Sequence, residues 1–261
     1  MRYLLVMMAF FRASAIADLE YRLNIVVKVL TDILWYSAQL AVFEVLFHNA
    51  RTISGWTLES TRVFLGILFV VDALWMVLFS ENLDHFSEKI RRGDIDLLLT
   101  KPINAQFMLS FQRLNTSYVI NIALTLGWLT WAILRLDQGF VWMRVLMLLI
   151  MIPCSLSIIY GIRFLFSGSA LIFTQAENIN YVWYQIYRLG TRPDSIYPPW
   201  LRYAILTVIP VGFVASVPAR LILGEKSYEL VAAALALAAL SIFVSRWFWK
   251  FALRFYSSAS S

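Results

Sequence analysis

Residues 63–80, VFLGILFVVDALWMVLFS, hold one charged side chain in a run that nearly suffices to cross a bilayer. A hydrocarbon core about 30 Å thick takes about 20 helical residues. Five further runs share this character, at 25–48, 117–135, 141–166, 201–223 and 229–250. The chain is 61% hydrophobic and 15% charged, against about 45–50% and 25% in soluble domains. A chain of 261 residues has no soluble core large enough to hide so much apolar surface, so lipid is its solvent. The expected fold is an all-α integral membrane protein, one membrane domain over 1–261 with six transmembrane helices.

Residues 1–22 imitate a signal peptide, with Arg2, a short apolar run and Ala13-Ser14-Ala15. Arg12 interrupts the approach to that site, and the stretch reads better as an interfacial amphipathic helix with Leu4, Met7, Met8, Phe11 and Ala15 on one side. The net charge of +6 is not gathered into a nucleic-acid-binding stripe, because the basic residues flank apolar runs. With the N-terminus cytoplasmic, 16 Lys and Arg face the cytoplasm and 6 the far side. The positive-inside rule therefore places both termini and the 81–113 segment in the cytoplasm. An adhesive reading of Arg92-Gly93-Asp94 fails on that location. Trp56, Trp142, Trp200, Trp247 and Trp249 fall near span ends and are expected to anchor in the interface.

Prolines disturb the later spans. Pro153 should kink the fourth, and Pro210 and Pro218 should break the fifth, leaving a broken or re-entrant element where protein buries it. The lone Cys154 lies in an apolar run and reads as packing, with no intrachain disulfide open to it.

Catalytic constellations are missing. His48 and His85 sit on opposite sides in no metallopeptidase spacing, and Glu44 with His48 makes at most half a metal site, so no metal is expected. Leu223-Gly224-Glu225-Lys226-Ser227 lacks the glycine–lysine spacing of a phosphate cradle, so this chain does not hydrolyse ATP alone. What remains is charge in two places. Inside the membrane, Lys28 and Asp32 are one turn apart and can pair. Asp72 sits midway along its span with no basic residue near in sequence. It either pairs across helices with Lys28, Asp32 or Arg163, or lines a path that attracts a cation. In the cytoplasm, Glu81, Asp84, Glu88, Arg91, Arg92, Gly93, Asp94 and Asp96 crowd the 81–103 loop. Leu83, Phe86 and Ile90 recur at helical spacing there, Gly93 fits a helix end and Pro102 prevents continuation.

The stretch Ile90-Arg91-Arg92-Gly93-Asp94-Ile95-Asp96-Leu97-Leu98-Leu99-Thr100-Lys101-Pro102 resembles the Ile-x-x-Gly-x-Leu/Ile-Asp-x-x-Leu-x-(Lys/Arg)-Pro signature of ABC-2 type permeases. More narrowly, the chain is similar to the short branch of uncharacterised and viologen-exporter-like permeases. Residues 197–224, YPPWLRYAILTVIPVGFVASVPARLILG, resemble that branch's second signature. The resemblance implies a type V exporter-like fold in a bacterial inner membrane, with the 81–103 loop as a coupling helix seated on a separate ATPase subunit. That ATPase would bind ATP and Mg²⁺, while this chain carries no cofactor. A second permease is implied, a heterodimer rather than a homodimer, with export the expected direction. The rival readings are a non-transporting membrane scaffold or assembly factor, and an intramembrane enzyme.

Overall fold

The computed structural model describes residues 2–136, 142–172, 179–225 and 228–256. Among these the chain is helical, and no strand is present. The helices are α1 (Arg2–Glu20), α2 (Arg22–His48), α3 (Leu58–Trp75), α4 (Glu81–Asp84), α5 (Phe86–Arg91), α6 (Asp94–Leu99) and α7 (Ala105–Phe111). They continue as α8 (Val119–Leu134), α9 (Trp142–Gly168), α10 (Ile179–Leu189), α11 (Pro199–Thr207), α12 (Ser216–Ile222) and α13 (Tyr228–Ala252). Five stretches are long and apolar enough to cross a membrane, and α11 with α12 forms a further pair bent by 78°.

The most apolar helix takes the centre. In α3 every residue from Val63 to Ala73 is buried, polar Asp72 included. Thr57 and Ser60 start the helix with a reciprocal capping box, which satisfies donors the first turn leaves free. At its other end Met76–Ser80 widens into a π turn. The Val77 carbonyl there accepts from the Asn115 amide at 3.0 Å, so the irregular turn leaves no orphan at that position. α8 packs so closely on α3 that a Cβ on Gly66 would lie 3.1 Å from the Leu129 Cα.

α9 runs through Pro153 as one unbroken helix. Pro153 faces outward and its carbonyl accepts from Ser157 Oγ at 2.8 Å. α9 and α13 run side by side in the same direction: a Cβ on Gly161 would meet Ser241 at 2.6 Å, and one on Gly168 would meet Phe248 at 3.0 Å.

The region after α9 departs most from the sequence reading. Asn180, at the start of α10, donates to the Asp84 carbonyl at the end where the 81–113 loop lies. Ser195, just beyond α10, hydroxyl-bonds the Ser54 carbonyl at 3.0 Å and accepts from Trp56 Nε1 at 2.9 Å, at the opposite end. Residues 179–196 therefore run the length of the bundle. The bent pair does not. Arg202 at its beginning and Arg220 near its finish both reach the Asp194 carboxylate, at 2.8 and 3.4 Å. The pair thus dips in from the far end and returns to it, with Phe213 at the tip accepting from Ser155 Oγ at 2.8 Å in mid-α9. The bend lies at Pro210. Pro218 breaks nothing, since it occupies the first turn of α12, where a helix has no use for its amide hydrogen. Arg192 and Arg202 accordingly move to the far end and Arg188 lies level with Asp72, so among the described residues the tally becomes 13 Lys and Arg at the loop end against 7. The sign of the bias survives, and its size shrinks.

Two of the five expected anchors are not anchors. Trp56 is buried against Phe64, and Trp249 is buried against Phe86 and Phe164. Trp142, Trp200 and Trp247 are exposed.

Candidate transport cavity and loop face

Two of the chain's four intramembrane charges face a cavity of about 780 Å³ between α2, α3 and α10. Asp32 and Asp72 both line it. They do not use the partners their sequence positions offer. Lys28 turns from Asp32 toward Asn115 Oδ1, 3.4 Å away, and lies over the Tyr118 ring at 5.6 Å. Asp32 instead accepts from the Asn121 amide. Asp72 pairs with neither Lys28 nor Arg163; the hydroxyls of Tyr36 and Tyr187 donate to it at 3.4 and 3.5 Å. Such phenol contacts hold a carboxylate in place without neutralising it. Trp35 and Tyr184 add aromatic faces, while Arg188 and Arg192 reach the same cavity from α10 and its end without ion-pairing to either aspartate. A buried carboxylate without an ion-pair partner is costly in lipid and marks a route or a binding place more often than a packing contact.

The crowded loop has two faces. Leu83, Phe86, Ile95 and Leu98 are buried in the bundle. Gly93 adopts φ 75°, the left-handed value that lets α5 end and α6 begin at once, and its amide donates to the Ile90 carbonyl. Asn82 clamps the loop from inside, donating to the Ser110 and Arg113 carbonyls at 3.1 and 2.6 Å. Glu81 and Asp84 also point inward. Glu81 lies 3.6 Å from Arg113 and receives Asn115 at 3.5 Å. Asp84 accepts from buried Arg163 Nη2 at 2.6 Å and from Tyr184 at 3.0 Å. The outward face keeps Glu88, paired with Arg92 and with His85 at 3.3 Å, together with Arg91, Asp94 and the exposed Leu97 and Leu99. Asp96 lies beside Tyr256, whose phenol is pushed above its ordinary value by burial and then by that carboxylate.

Catalytic geometry does not emerge. Among the described residues no group of three or more His, Cys, Asp or Glu is placed to hold a metal. Glu44, the partner once available to His48, is taken by Arg62 at 2.5 Å.

A model of a family described as ABC-2 family transporter protein matches residues 33–260. The chain belongs to the ABC-2 transporter family. It is a transport permease, a multi-pass membrane component rather than a catalyst. No curated protein and no solved structure matched it.

Of the residues placed in and around the cavity and the loop of this ABC-2 permease, Asp32, Asp72 and the 81–96 charges stand out in the sequence, whereas Tyr36, Tyr184, Tyr187, Asn180 and Asp194 do not. A signal for α10 was present: Trp183 and Tyr187 are one turn apart on its inner side, opposite exposed Tyr181 and Val182. Asp194 gave no local sign, because both its arginines come from later helices.

Proposed function

We propose that this chain is the permease half of an ATP-driven exporter, powered by a separate ATPase subunit that binds ATP and Mg²⁺ and docks on the loop between α3 and α8. The observation that carries the reading is the construction of that loop. Its apolar residues and two of its acids lock into the bundle, so the exposed Glu88, Arg91, Arg92, Asp94, Leu97 and Leu99 form a braced surface able to transmit a push. A solvated loop would need no such bracing. The loop and both termini lie in the cytoplasm of a bacterium, at the more basic end of the bundle. A second permease, different from this chain, completes the complex. It covers α2, whose apolar stretch is only 6% buried although it belongs to a transport bundle.

Substrate passes beside Asp72 and Asp32. The cavity favours this over a scaffold role, because a scaffold gains nothing from two carboxylates held without a basic partner in lipid. The test is reconstitution with the ATPase. Arg91→Glu with Arg92→Glu should abolish ATP-dependent transport and stimulated hydrolysis while the chain still folds. Unchanged transport would refute the docking surface.

A further inference from the structure

A second cavity, of about 550 Å³, opens between α7, α9 and α13, away from the aspartates. We propose that it binds an anionic phospholipid, one acyl chain inside and the phosphate on Arg246. The inference rests on the family's placement of the chain in a membrane, not on export or on an ATPase.

Its interior is apolar for a chemical reason. The polar side chains along it satisfy one another: Gln106 Nε2 donates to Tyr160 OH at 3.1 Å and to Ser245 Oγ at 3.3 Å, and Ser110 Oγ lies 2.9 Å from Tyr160 OH. Phe79, Phe107, Leu156 and Ile242 supply the walls. Tyr3 of α1 closes one side, its ring edge-on to Phe107 at 4.9 Å. Such a slot suits a hydrocarbon chain better than a polar solute.

The slot's length and direction also fit. The crossings of Gly161 with Ser241 and Gly168 with Phe248 place α9 and α13 in register, each residue of α9 beside the one 80 further on. Arg246 therefore sits level with Phe166, thirteen residues from Pro153, which also lines the slot. At 1.5 Å per residue that separation is about 20 Å. The slot thus runs from near the loop end of α13, where headgroups lie, toward the bilayer middle. Phe243 and Trp247 are exposed beside it, at 66% and 60%, as expected of a face toward lipid.

Charge decides the headgroup. Arg246 is the one charged residue lining the slot, no acid lines it, and among the described residues Arg246 makes no ion pair. A guanidinium at this depth, free to snorkel, attracts phosphate. An anionic lipid matches it and a zwitterionic one brings its own cation.

The experiment uses the full chain in nanodiscs holding phosphatidylglycerol or phosphatidylcholine with the same photoreactive acyl chain. Adducts are then mapped by peptide mass spectrometry. Adducts at Phe107, Leu156 and Ile242 should form about fivefold more with phosphatidylglycerol, one cation's contribution near a surface. Arg246→Gln should bring the two lipids level, and Ser157→Trp, which fills the slot, should remove the adducts with both. Equal labelling in the wild-type chain, or adducts confined to Phe243 and Trp247, would overturn the site. Absence of slot adducts because a second copy covers the face would overturn it too. Transport and hydrolysis are not read in this assay, so its outcome is independent of the exporter reading.

Discussion

Arg163 and Asp84 meet at 2.6 Å, Nη2 to Oδ1, where the first turn of the 81–113 loop touches α9. The arginine is fully buried; it also donates to the Leu83 carbonyl at 3.3 Å and to Asn180 at 2.6 Å, and lies over the Trp183 ring at 5.9 Å. One ion pair therefore ties loop, α9 and α10 together. A buried pair adds little over apolar packing, but removing one partner strands the other charge, at about 3–5 kcal/mol. Asp84→Asn should accordingly lower the melting temperature strongly or abolish monodisperse expression. Asp84→Lys would test the fold, not ATPase docking, which is why the docking variants use exposed arginines instead.

Asp72→Asn should leave assembly intact. Tyr36 and Tyr187 donate to different oxygens of the carboxylate; the asparagine oxygen keeps one of these bonds and its NH2 donates to the other hydroxyl, so the loss is about 1 kcal/mol. Transport of a cationic substrate should fall at least tenfold. Size-exclusion elution read beside uptake separates the outcomes, and collapse of the assembly would make Asp72 a packing residue.

The re-entrant pair can be checked by labelling. In a background where the single cysteine, Cys154, is replaced by serine, Trp200→Cys and Glu225→Cys should react with an impermeant maleimide from one side of the membrane. Tyr181→Cys, near the start of α10, should react from the other. Residues 200 and 225 labelled from opposite sides would mean that the bent pair crosses.

Gly161 has no room for a side chain, since the Ser241 backbone lies 2.7 Å from where a Cβ would stand. Gly161→Leu should push α9 and α13 apart at about 1–3 kcal/mol or more, read as a lower melting temperature. The outward-facing Gly127, with nothing within 4 Å of its Cβ position, should tolerate alanine.

These cases show what the residues disclosed. Long apolar runs announced the bundle because lipid forces backbone bonds into helices. Pro210 announced the break for a similarly local reason. The pattern of α10 marked a helix but not a crossing: its 11 residues include Asn180, Gln185 and Arg188, and they pass only because protein covers one side. Charges misled where the sequence offered near partners. Lys28 and Asp32 are one turn apart yet bond to residues 87 and 89 positions away. Asp84 read as part of the coupling surface, but its partner lies 79 residues on, inside the bundle. Spacing limits which pairs can form, and packing chooses among them.

An ATPase seated on the exposed rim of the loop would lie within crosslinking reach of Leu97. A photoreactive amino acid placed at Leu97, 68% exposed, should crosslink in intact cells to a protein carrying a Walker A loop. The same group at Trp247, 60% exposed on the lipid-facing side, should give no such adduct. Crosslinking to that ATPase from position 97 alone is the result this account requires. No ATPase adduct from position 97, or an equal one from position 247, would contradict it.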